Sequence, residues 1–92
     1  MPFFQASVVV NLRSSVLDPA GEAAKAAASR LDVDGIQKLR IGKLIELEIE
    51  SPDEKEALRR LEILSDQLLA NPVIENWTVN IVPMEDSFKN NN

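Results

Sequence analysis

The chain has 92 residues, 15 of them acidic and 10 basic, for a net charge of −5, and it contains no histidine, cysteine or tyrosine. The acidic balance excludes a nucleic-acid or anionic-membrane surface, which needs a basic face. The missing histidine and cysteine remove the usual side chains for proton transfer, nucleophilic attack and soft-metal ligation near neutral pH.

In chain order, Phe4, Ala6, Val8, Val10 and Leu12 alternate with Gln5, Ser7, Val9, Asn11 and Arg13. That period of two predicts a strand with one buried face. Asp18-Pro19 then opens a helix, aspartate serving as N-cap and proline as the first helical residue. The helix runs to about Arg30 or Leu31, and its alanines give it propensity but little area to bury. Asp32 to Gly35 is a loop. Ile36–Ile41 and Ile45–Glu50 are expected to form a hairpin around Gly42-Lys43-Leu44, setting Ile41 opposite Ile45, Leu39 opposite Leu47 and Gln37 opposite Ile49 on one face. On the other face Arg40 would meet Glu46 and Lys38 would meet Glu48, a matching of apolar with apolar and of opposite charges. Glycine would open this three-residue loop, where it more often closes one.

Ser51-Pro52-Asp53-Glu54 has the form of a capping box with proline at the first turn. The helix it predicts runs to about Ala70, with Ala57, Leu58, Leu61, Leu64 and Leu68 along one stripe, Leu69 beside them, and Glu56 within reach of Arg59 and Arg60. Asn71-Pro72 stops it. Trp77, Val79 and Ile81 alternate with Thr78, Asn80 and Val82 as a last strand.

The order strand, helix, strand, strand, helix, strand predicts an α+β domain over residues 1–83. Its expected architecture is a four-stranded antiparallel sheet of the split βαβ, ferredoxin-like kind, with both helices on one face. Residues 84–92 read as a disordered polar tail. The thin alanine helix, and a second sheet face carrying Val9, Leu44 and Val82, favour assembly into a homo-oligomer. The start Met1-Pro2-Phe3-Phe4-Gln5 has no signal-peptide character and no apolar run is long enough to span a bilayer, so a cytoplasmic protein is expected. Glycines occur only at 21, 35 and 42, which leaves no phosphate-binding glycine loop. No residue stands out as catalytic or as a metal ligand. The residues alone therefore imply a binding or assembly module.

Three stretches carry a more specific likeness: Ser15-Val16-Leu17-Asp18-Pro19-Ala20-Gly21, Arg40-Ile41-Gly42-Lys43-Leu44-Ile45-Glu46-Leu47, and Leu68-Leu69-Ala70-Asn71-Pro72-Val73-Ile74-Glu75-Asn76. In this order and spacing the chain resembles the PurS family, the small subunit of phosphoribosylformylglycinamidine synthase in purine biosynthesis. The resemblance implies a part in an ATP-dependent carbon–nitrogen ligase that uses glutamine as amide donor and converts formylglycinamide ribonucleotide to the amidine. It implies a glutaminase subunit that releases ammonia and a large synthetase subunit that binds ATP and magnesium. The small subunit itself would bind no cofactor, form a dimer or tetramer, and bridge the other two. Arg40, Gly42, Lys43, Asn71, Pro72 and Trp77 are then candidate interface residues. The competing bland readings are a solvated cross-strand pair for Arg40, a helix stop for Asn71-Pro72 and core packing for Trp77. A stand-alone effector-binding regulatory domain of the amino-acid-sensing type is the alternative function.

Overall fold

A computed structural model describes residues 1–84. β1, Phe3–Leu12, is the strand on which the rest is built. Its even-numbered side chains Phe4, Ala6, Val8 and Val10 are buried, while Phe3 and Val9 on the other face are exposed. Strand β2, Lys43–Glu50, and strand β3, Glu75–Pro83, flank it antiparallel on either side, in the order β2-β1-β3. Ile45, Leu47 and Ile49 stand opposite Val8, Ala6 and Phe4, and Trp77, Val79 and Ile81 stand opposite Val10, Val8 and Ala6. One sheet face is therefore apolar along every strand.

The sheet has three strands among the described residues, not the expected four, because Ile36–Ile41 is not a strand. The hairpin is absent: the segment does not fold back on β2, and Lys43 and Leu44, expected in its loop, are the first residues of β2. The pairings of Arg40 with Glu46 and of Lys38 with Glu48 fall with it, since Glu46 stands opposite Ser7 and Glu48 opposite Gln5. The physical reason is that β1 offers Ile45, Leu47 and Ile49 an apolar ladder at least as good as Ile41 and Leu39 do. Gly42 then serves close approach rather than a turn. A Cβ there would lie 2.7 Å from the Val10 carbonyl oxygen and would also collide with Asn11 Oδ1.

Helix α1, Pro19–Arg30, begins as the sequence predicts. Asp18 is its N-cap and accepts the Gly21 N–H at 3.0 Å. It does not lie on the sheet, so the expectation of two helices covering one face holds for only one of them. Residues 36–41 run beside α1 instead, and Asp32 and Gly35 take positive φ angles in the loop that brings them there.

The covering helix is α2, Glu54–Leu64, continued by a π turn over Ser65–Leu69. Its cap is Asp53, whose side chain accepts the Glu56 N–H at 2.7 Å. Ser51, expected to cap, is buried and donates its hydroxyl to the Asp53 carbonyl at 3.0 Å. Ala57 and Leu61 are fully buried as the stripe predicts, but Leu68 is 72% exposed. The π turn inserts one residue into the helical repeat and turns Leu69 inward in its place. Leu69 packs with Trp77, Val79, Ile45 and Leu47 around Val8, Val10 and Ala70. The expected tail lies outside the described residues from residue 85 on; Met84 still donates its N–H to the Phe3 carbonyl at 3.0 Å.

Candidate functional site

The candidate residues converge on one end of the sheet, where β1 ends and β2 and β3 begin. Arg13, the residue after β1, organises it. Its backbone N–H donates to the Ile74 carbonyl at 2.8 Å and its Nη2 to the Pro72 carbonyl at 2.6 Å. Its own carbonyl accepts Arg40 Nη2 at 2.9 Å. Two guanidinium groups thereby tie the segment before β2 to the turn before β3.

Asn71 is committed to that turn. Its carbonyl accepts the N–H groups of Ile74 and Glu75, its Oδ1 accepts the Val73 N–H at 3.1 Å, and its own N–H donates to Glu75 Oε1 at 2.7 Å. An Asx turn of this kind is how asparagine shapes a chain reversal. Trp77 stands opposite Val10, in the same row as Lys43, and is half-buried in the core cluster. Lys43 is exposed at the head of β2.

Asp18 ties α1 to the same end. It is buried, and besides capping the helix it accepts the Ile41 N–H on Oδ2 at 2.8 Å. The Ile41 and Gly21 N–H groups, with the Arg40 charge nearby, hold its carboxyl below the ordinary 3.8. The three sequence stretches that carry the family likeness, far apart along the chain, therefore meet through Asp18, Arg13 and Arg40. Sequence reading did not single out Arg13, and only its place as a lone charge at a strand exit hinted at a role. The helix-capping motif disclosed one of the two bonds of Asp18.

This end combines Arg13, Arg40 and Lys43, in a protein of net charge −5, with exposed apolar neighbours: Leu17, Ile41 and Val73 are 72%, 48% and 80% exposed. Among the described residues no group of three histidines, cysteines or carboxylates is placed to hold a metal ion, and no helix is long and apolar enough to cross a membrane. What the arrangement offers chemically is surface: guanidinium and ammonium donors beside apolar side chains, suited to a carboxylate-bearing protein partner.

Fold and site together define a small α+β domain with a basic, partly apolar surface at one end of a three-stranded sheet. Residues 5–83 match the PurS family, described as phosphoribosylformylglycinamidine (FGAM) synthase, and the chain belongs to that family. It is 48% identical over 82 residues to the phosphoribosylformylglycinamidine synthase subunit PurS of Synechocystis, covering 89% of this chain and 82% of that one. It is 45% identical over 76 residues to the same subunit of Mycobacterium leprae, covering 82% and 91%. Among solved structures it resembles a chain of PurLQS from Thermotoga maritima, with a TM-score of 0.82 and 34% identity, covering 89% of this chain and all of that one. The regulatory-domain alternative finds no support in these matches.

Proposed function

We propose that this chain is the non-catalytic small subunit of a phosphoribosylformylglycinamidine synthase. It docks a large ATP-dependent synthetase and a glutaminase against one another in the cytoplasm, so that ammonia released from glutamine reaches the synthetase site before it escapes. ATP and magnesium belong to the large subunit. The observation that carries this reading is the match of nearly the whole domain to PurS chains, one of them solved as part of PurLQS. The chain's lack of histidine and cysteine agrees with it. Lys43, exposed at the head of β2 beside Arg13 and Arg40, is the contact proposed for an acidic group of a larger subunit. We further place the chain in a homo-oligomer in which a second copy supplies the fourth strand of the sheet.

The test is reconstitution with the synthetase and glutaminase. Adding this chain is expected to raise glutamine-dependent turnover severalfold and to leave turnover with added ammonia nearly unchanged. Lys43→Glu is expected to lower the glutamine-dependent rate. Failure of the three chains to associate, or an equal effect on both rates, overturns the bridging role.

A further inference from the structure

The loop between α1 and the segment 36–41 contains Asp34-Gly35, and no other aspartate or asparagine of the chain precedes a glycine. An aspartate in this position can react with its own backbone. The Gly35 nitrogen attacks Asp34 Cγ, a C–N bond forms, and a carboxyl oxygen leaves as water together with the amide proton. Water then opens the five-membered imide. Opening at the Asp34 backbone carbonyl leaves the chain running through Cβ and Cγ, with a free α-carboxylate where the peptide bond stood. One water is lost and one regained, so mass is conserved and no second reactant takes part.

The fold leaves this step open. The backbone requires glycine at position 35, where φ is +93°, a conformation that side chains disfavour. The space a Cβ would fill there is empty to 4 Å, so nothing crowds the nitrogen. The Gly35 N–H donates to no acceptor among the described residues. Asp34 is exposed, and it borders a cleft of about 290 Å³ also lined by Lys25, Ser29 and Val33, which gives its side chain room to swing. Asp32 is the contrast within the same loop. It too is exposed, but the N–H it would need, that of Val33, donates to the Ala28 carbonyl at 3.0 Å and carries a branched side chain. Asp18 and Asn71 precede prolines, which have no N–H to use.

We propose that Asp34-Gly35 is a self-modification site, at which the folded chain converts with time to isoaspartate, and that the product loosens segment 36–41 from α1. The new link adds one methylene, about 1.5 Å of backbone, to a loop whose far side is anchored on α1 and its cap. The anchors are Lys25 Nζ on the Gln37 carbonyl at 3.0 Å and Asp18 Oδ2 on the Ile41 N–H at 2.8 Å. Gln37 lies two residues from Gly35, so its contact takes the displacement first. The exposed isoaspartyl α-carboxylate is the group that a carboxyl methyltransferase of the isoaspartate-repair kind esterifies, and such an enzyme is the partner the modified site fits.

The full chain and the free peptide Leu31–Lys38 are aged for several weeks at neutral pH and body temperature. Isoaspartate is counted by methyl transfer from S-adenosylmethionine with a purified isoaspartyl methyltransferase. Trypsin releases Asp32 and Asp34 in one peptide, and electron-transfer fragmentation shows which of them carries the link. The folded chain is expected to accumulate isoaspartate at Asp34 within severalfold of the peptide's rate, and none at Asp32. Asp34→Asn is expected to raise the rate severalfold, because an amide is a better electrophile than a carboxylate. Asp34→Glu is expected to abolish it, because a six-membered imide closes far more slowly. The aged wild-type chain is expected to unfold at a lower urea concentration than the aged Asp34→Glu chain. A peptide that converts while Asp34 of the folded chain does not overturns the site. Conversion with an unchanged unfolding midpoint overturns the loosening.

Discussion

Gly42 shows how one atom decides the course of the chain. A methyl group at this position would press on the Val10 carbonyl at 2.7 Å and on Asn11. Both contacts are with β1, so the glycine exists to let the segment before β2 lie along the end of β1. Arg40 and Arg13 then meet two residues further out. Gly42→Ala is expected to destabilise the fold by about 1–3 kcal/mol, the usual penalty for crowding a close-packed contact, read as a lower denaturation midpoint in urea. An unchanged midpoint would show that the approach of β1 to Gly42 is loose.

At the scale of the element, local signals and non-local choices separate cleanly. β1, α1, α2 and β3 were legible in the sequence because each carries its own evidence: strict alternation in β1 and β3, an Asp-Pro start for α1, a leucine stripe for α2. The carboxylate pairs were legible too. Glu56 Oε2 lies 2.7 Å from Arg59 and 2.8 Å from Arg60, as helical spacing requires. The partner of β2 was not legible, since Ile45, Leu47 and Ile49 match Ile41 and Leu39 as well as they match β1, and only the assembled core decides between them. Nor was the π turn, which leaves Ser65 Oγ buried without a hydrogen-bond partner among the described residues and trades Leu68 for Leu69. Of the candidate end, the motifs named residues that the fold brings close together and missed Arg13, the one that joins them. The helices also set an acid limit. The Arg59 and Arg60 hydrogen bonds draw the Glu56 carboxyl from 4.5 down to about 2, and the Ile41 and Gly21 N–H groups lower that of Asp18. A carboxyl whose pKa falls on folding stabilises the native state fully above its unfolded value, and that contribution disappears as pH drops through the folded value. The melting temperature is therefore expected to decline from about pH 4.5 toward pH 2, and Glu56→Gln should flatten that decline. An equally steep decline in the variant would assign it to other groups.

For the whole molecule, the single chain is an incomplete object. Its Cα radius of gyration is 17.3 Å, against about 12 Å for a compact chain of this length. It is only 16 Å thick in its thinnest direction, close to one sheet with one layer of helix. Helix α1 stands away from the sheet, β2 and β3 both present open edges, and Ile45, Leu47 and Ile49 are half-covered. A domain of about 90 residues is marginal even when fully closed, and in the proposed homo-oligomer association would supply a large part of its stability. If folding and dimerisation are one equilibrium, the melting temperature depends on concentration by mass action. A tenfold rise adds about 1.4 kcal/mol per mole of dimer, and the unfolding entropy of two such chains converts this to roughly 4 °C. Calorimetry between about 5 and 500 µM should therefore show an upward shift of roughly 8 °C. A melting temperature constant over that range, with a monomeric mass at the low end, would mean that one chain is stable with its β2 edge bare, and the sheet would then need no second copy to complete it.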